Sequence, residues 1–186
     1  MLYVPGSFRE SDVAVMQDFM RRYPFATVVS YRDGIHVSHL PVLLDPQRGP
    51  YGTIVGHLAR ANAHWRDFNG ETGTTCVFHG PHAYISPTWH TERPAVPTWN
   101  DAVVHAIGVP TVIDDRQRLA EIIDEGHGTG SVCGPERLRE GEERLIEQVT
   151  EGHIGVTVTG KSFDVLLSVH GFGDAEILLT TDEGRR

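Results

Sequence analysis

FATVVSYRDGIHVSHLPVLL, residues 25–44, is the stretch whose reading decides the fold class. Residues 25–31 are rich in β-branched and aromatic types. Asp33-Gly34 is a hairpin signal, and residues 35–44 return as a partner strand. Working outward, residues 53–58 read as a third strand beyond the turn-rich segment 46–52. Residues 74–79 read as a fourth, 83–86 as a fifth, 102–113 as another, and 154–167 as a final hairpin or long strand, with a short addition at 176–180. Helical signals sit between and around them. Ser11 and Asp12 supply a cap for a helix carrying Val13, Met16, Phe19 and Met20 on one face, which stops before Pro24. A short helix is expected over residues 60–68, and another around Leu119, Ile122 and Ile123. Pro135 opens a charged amphipathic helix over 135–150, and residues 126–134 form a glycine-rich loop. Strands that follow one another without regular helix alternation predict a mainly β, antiparallel barrel with peripheral helices rather than a doubly wound sheet. One domain spanning residues 1–186 is expected.

Composition removes several function classes. With 39% hydrophobic and 22% charged residues the chain has the makings of a packed core, so disorder is not the default. A net charge of −9 argues against a protein that grips DNA through its phosphates. Arg116, Arg118, Arg137, Arg139 and Arg144 are interspersed with acids and no basic recognition helix is visible, so direct DNA binding is not expected. Cys76 and Cys133 form no CxxC pair and read as reduced thiols. The first residues lack the pattern of a signal peptide and no apolar run reaches the roughly 20 residues of a membrane span, so a cytoplasmic location is expected. Eleven histidines invite a metal reading, but there is no HExxH helix. His36 and His39 should face opposite sides of one strand, and no carboxylate joins His79 and His82 at ligand spacing, so no metal site is expected. Gly126-His127-Gly128-Thr129-Gly130 follows a helix rather than a strand and lacks a GK[ST] ending. No nucleophile elbow is present and no catalytic residue is assigned.

Three stretches carry candidate chemistry. In Gly56-His57-Leu58-Ala59-Arg60-Ala61-Asn62-Ala63-His64-Trp65 a strand runs into an expected helix. Backbone N–H groups there suit an anion, Arg60 offers a fork of donors, and His57 and Asn62 could add contacts. The same spacing also suits a capped surface helix. In Cys76-Val77-Phe78-His79-Gly80-Pro81-His82-Ala83-Tyr84-Ile85-Ser86-Pro87-Thr88-Trp89 a Gly-Pro turn gathers His79, His82 and Tyr84 at one rim, either as a platform for a planar heterocycle or as a rigid packed hairpin. In Val96-Pro97-Thr98-Trp99-Asn100 the tryptophan reads as a core anchor or a ligand contact.

Taken in order, these stretches, together with Tyr3-Val4-Pro5, Phe8 and His39-Leu40-Pro41, resemble the PaiB-type FMN-binding regulators over roughly the first 110 residues. The resemblance implies a split β-barrel that dimerises and holds FMN at the subunit interface, in proteins described as negative transcriptional regulators. Flavin oxidoreductases and a haem-degrading branch are related to them. By this resemblance Arg60 and Asn62 meet the flavin phosphate with His57 beside them, while His39 and the segment Tyr84, Ile85, Ser86 line the ring or ribityl chain. His79 and Trp99 complete the cofactor set. The chain departs from the family pattern at His90 and Asp101, where aromatics are usual. It departs again over residues 164–171, where a polar Lys-Ser-Gln-Asn-Arg-like segment is expected, and in the glycine-rich loop, so its C-terminal part diverges from about residue 126.

Overall fold

The computed structural model describes residues 6–91, 94–128 and 153–169. Inside the first hairpin the alternation does what its pattern requires. In β1 (Phe25–Tyr31) Ala26, Val28 and Ser30 are buried, and in β2 (Ile35–Asp45) Ser38, Leu40 and Val42 are buried. The two strands pair antiparallel from Phe25 opposite Pro41 to Tyr31 opposite Ile35, around a three-residue turn at 32–34. β3 (Thr53–Ala59), β4 (Thr74–Ile85), β5 (Thr98–Ile113) and β6 (His153–Val169) complete a closed six-stranded barrel in the order β1-β2-β3-β6-β5-β4. All pairings are antiparallel, and Ala26 opposite Phe78 belongs to the β1–β4 seam that shuts the ring.

Closure gives every strand an inner face, and the inward residues form one apolar cluster that includes Ala26, Val28, Leu40, Val42, Ile54, Leu58, Phe78, Val104, Val156 and Val158. Cys76 belongs to it, and burial pushes its thiol up to about 12, which leaves it un-ionised and inert. α1 (Val13–Arg22) is capped by Asp12, whose side chain accepts from Ala14 N, and it adds Met16 and Met20 to the cluster. It lies over the end of the barrel where Gln17 Nε2 donates to Tyr51 O and Phe19 covers Gly80. α2 (Arg116–Gly128) packs outside, against β2, β3 and β6, burying Leu119, Ile122 and Ile123.

Several boundaries differ from the sequence reading. The segments expected as two strands, 74–79 and 83–86, are one strand with a bulge between His79 and His82, because β5 pairs with both halves. The prolines of 87–97 leave room for a 3-10 turn at Pro87–Trp89 capped by Ser86. The expected helix over 60–68 is a single 3-10 turn, Ala63–Asp67, since the chain must dive back into the barrel end after five residues. α2 runs through Gly126 and Gly128, so the glycine-rich segment starts as helix. The rest of that loop, the helix expected at 135–150 and the strand expected at 176–180 fall outside the described residues. β6 lies beyond residue 126, yet it pairs with both β3 and β5 and is a full member of the ring.

The long β5–β6 pairing shifts register between Ile107 and Gly108. There a Cβ on Gly108 would collide with the Thr159 carbonyl oxygen and would stand 2.7 Å from Val158 Cγ1. Backbone cannot swing aside as a side-chain tip can. Gly108→Ala is therefore expected to destabilise the barrel by about 1–3 kcal/mol, the usual penalty for overpacking, read as a lower urea midpoint with an unchanged slope.

Candidate functional site

The residues singled out from sequence fall into two groups at opposite ends of the barrel. At one end, β3 delivers Arg60 to the turn that precedes the Ala63–Asp67 segment. Arg60 is half exposed, and its Nη2 donates to Asp114 Oδ1 at 2.6 Å. Asn62 caps the 3-10 turn by accepting from His64 N at 3.1 Å, and its Nδ2 donates to Ser38 Oγ at 3.0 Å. Both polar ends of Asn62 thus have protein partners. A 3-10 turn of five residues also lacks the aligned dipoles of a true helix, so the anion-binding argument from a helix start lapses and Arg60 alone supplies the charge. His57 is half-buried on β3.

At the other end, β4 runs on beyond β1 with β5 beside it, and β6 follows β5 as far as Asn100. β1 reaches β4 no further than Phe78, whereas β5 follows it to Ile85. One face of this ribbon carries an aromatic platform. Trp99 is 51% exposed, so of its two readings the core anchor falls, and its Nε1 donates to His82 Nδ1 at 3.2 Å. Its ring stacks on His82 at 5.7 Å between centroids and tilts against Tyr84 at 6.2 Å. With Nδ1 accepting, the neutral His82 carries its hydrogen on Nε2. An open cleft of about 410 Å³ lies here, lined by His79, Gly80, His82, Trp99, Asp101, Ala102 and Val103. Ile85 pairs with Thr98 beside it, and Ser86 Oγ accepts from Thr88 N and lies 2.8 Å from Thr88 Oγ1.

One protomer does not bring these groups together. From Val103, paired with His79, to Asp114, paired with Arg60, the chain runs eleven residues, roughly 35 Å of extended strand. His39 stands between them on the outer face of β2, exposed, with Nδ1 3.0 Å from Thr27 Oγ1 and its ring stacked near Phe25. Around it the outer faces of β1 and β2 expose Phe25, Tyr31, Ile35 and Val37 at 64%, 65%, 73% and 52%. That is an apolar patch of the kind soluble monomers seldom leave bare.

Residues 2–159 match the protein-family model described as "Putative FMN-binding domain". The chain belongs to this family. Among curated relatives, protease synthase and sporulation protein PAI 2 of Bacillus subtilis is 35% identical over 121 residues, which are 64% of this chain and 57% of that protein. The match thus spans little more than half of that relative's length. Among solved structures, the flavocytochrome Anf3 of Azotobacter vinelandii superimposes with a TM-score of 0.64 at 12% identity, covering 94% of this chain and 77% of its own. The FAD and heme binding protein of Mycobacterium smegmatis gives 0.57 at 16% identity, over 90% and 76%. These likenesses establish the family's split-barrel fold.

The sequence reading passed over a buried hydrogen-bonded group at the Arg60 end. Ser30, His64 and Asp67 are 2%, 4% and 3% exposed. Ser30 Oγ donates to Asp67 Oδ2 at 2.5 Å and lies 2.8 Å from His64 Nε2. His64 Nδ1 lies 2.8 Å from Ser38 Oγ, and His36 Nδ1 is 2.6 Å from Asp67 Oδ2. A signal was present. Ser30, His36 and Ser38 occupy the inward phase of β1 and β2, where the other positions are apolar, and buried polar groups need partners. Among the described residues no group of three or more His, Cys, Asp or Glu is arranged to hold a metal ion, and no helix is long and apolar enough to cross a membrane.

The network sets its own charges. The hydrogen bond to Asp67 raises His36 above the ordinary 6.5, against some desolvation, and the charges of Asp67 and Asp33 add to the rise. Burial lowers His64. Burial alone would raise Asp67, but the hydrogen bonds from Ser30 and His36, together with the charges of His36 and His64, outweigh it and hold the carboxyl below the usual range. A raised histidine stabilises the fold fully below pH 6.5 and loses that contribution as pH climbs through its folded value. The urea midpoint of the native protein should therefore fall between neutral and mildly alkaline pH relative to His36→Gln, which has no such proton to lose. Parallel profiles for the two proteins would show that the His36–Asp67 pair does not couple to stability.

Proposed function

We infer that this chain binds FMN, with the phosphate against Arg60 of one copy and the planar ring on the Trp99, Tyr84 and His82 platform, beside the His79-lined cleft, of a second copy. The observation that carries this is the pairing of a half-exposed arginine at one end with an aromatic, cleft-bearing ribbon at the other, too far apart for one chain to use on one small ligand. The donor set suits the two chemical ends of the cofactor. The Arg60–Asp114 pair is exposed on both sides, so it is weakly held and easily exchanged for a phosphate. The ring end offers apolar faces with a few polar anchors. The exposed Phe25, Tyr31, Ile35 and Val37 around His39 supply the surface on which two copies would meet. The family match and the flavin-binding proteins among the structural neighbours support a flavin over other planar ligands.

When bound, the flavin would supply the redox chemistry and the protein its position and shielding. The family resemblance favours a regulatory role over a flavin reductase. With a net charge of −9, regulation would run through a partner protein rather than through this chain's own grip on DNA, in the cytoplasm.

Arg60→Ala should weaken FMN binding by roughly 1.5–3 kcal/mol, the worth of a charged hydrogen bond, measured by quenching of flavin fluorescence. Trp99→Ala should weaken it as well. Mixing the two defective proteins is the sharper experiment. If each site draws Arg60 from one copy and Trp99 from the other, mixed dimers regain one intact site and strong binding returns. No recovery on mixing, with both variants dimeric, would remove the two-copy arrangement.

A further inference from the structure

Six polar side chains at the Arg60 end are joined in a chain that admits only one direction. Ser30 gives its hydroxyl hydrogen to Asp67, so its oxygen must accept from His64 Nε2–H. The neutral His64 then has a bare Nδ1, which accepts the hydroxyl hydrogen of Ser38, and Ser38 Oγ in turn accepts from Asn62 Nδ2. His36 closes the far end on Asp67. The chain is anchored to the turn that carries Arg60 at several points. Asn62 N donates to Ala59 O at 2.9 Å, Trp65 Nε1 donates to Arg60 O at 3.0 Å, and Asn62 Oδ1 caps His64 N.

We propose that His64 is a positioning residue for the Arg60 turn and that the turn is latched only while His64 Nδ1 is unprotonated, so that mild acid releases Asn62 from Ser38 and weakens the grip on a phosphorylated ligand. A proton on Nδ1 would face the Ser38 hydrogen head-on. Ser38, 7% exposed, would have to swing that hydrogen away from both of its described partners and leave a buried donor unpaired, a cost relieved when the Ser38 side chain rotates away and gives up Asn62. The groups around His64 set where this happens. Asp67, on the same turn, favours the proton. His36 on β2, 5.9 Å away between ring centroids, opposes it, and Asp33 in the β1–β2 turn helps keep His36 charged. Arg32, whose Nη1 donates to Arg66 O, adds a cation nearby. Ser30 on β1 and the Phe68 ring at 5.0 Å are uncharged. Burial is the largest influence and keeps the transition below 6.5. The ligand half of this proposal rests on the flavin reading above, and the latch itself does not.

Trp65 is a built-in reporter through its bond to Arg60 O. In a protein with Trp65 as its single tryptophan (Trp89→Phe, Trp99→Phe), emission followed from pH ~7.5 down to ~5 should change below 6.5 while far-ultraviolet circular dichroism holds. The same protein with His64→Gln, which keeps a donor and an acceptor but cannot charge, should stay flat. FMN affinity of the tryptophan-intact protein should fall by up to about tenfold per pH unit through the transition, and His64→Gln should escape that loss. The flavin phosphate takes up its own second proton near pH ~6, which weakens binding to both proteins alike and cancels in the comparison. The same emission profile in His64→Gln, or no change before the fold is lost, overturns the latch. An emission change with no FMN binding at any pH leaves the latch standing and removes the flavin reading. FMN binding with equal pH dependence in both proteins overturns the coupling of the latch to the ligand and leaves the flavin reading standing. If His64→Gln does not fold, Ser38→Ala replaces it: the turn is then already unlatched and emission should be flat, and a native-like profile overturns the proposal.

Discussion

The seam between β1 and β4 is the constraint from which the rest follows. Once Ala26 to Val29 pair with Thr75 to Phe78, the sheet has no free edge in the ring and every strand must present an inner face. The interior is then a tube with two open ends, and each end needs a stopper. α1 serves one with methionines, flexible enough to fill an irregular gap. The turn at Ala63–Asp67 serves the other with His64 and Asp67, which are tolerable there only because Ser30, His36 and Ser38 reach them from the strands.

This division explains why the two ends suit different tasks. The polar end is rigid through directed hydrogen bonds and holds a charge-bearing turn. Beyond the apolar end, β4 and β5 extend past β1, with β6 beside β5 as far as Asn100, and carry a wall of rings with open faces. A ligand with an anionic tail and a planar head could use both kinds of surface, provided that two chains share the work.

Much of the fold was legible because strand alternation is a strong signal. β1 was bounded to the residue, and β2 and β3 to within one. The misreadings have local causes. A five-residue 3-10 turn and a short helix share the same composition, and only the need to plug the barrel tells them apart. A bulge at Gly80-Pro81 looks like a turn until β5 is known to follow both halves of β4. The site was harder. Residue types at Arg60, Tyr84 and Trp99 pointed to ligand chemistry, but sequence order cannot say that strand β5 holds the two groups apart. Ser30 and Ser38 were overlooked because single serines in a strand carry no motif. Only their inward phase marks them.

The length of β5 has a consequence for stoichiometry. If Arg60, beside Asp114 past one end, and Trp99 at the other both serve a flavin as proposed, every protomer would lend its arginine to one bound flavin and its tryptophan to another. Occupancy would then be two per pair and none per lone chain, so diluting the protein until the pairs separate should shed the cofactor without any chemical change to either chain.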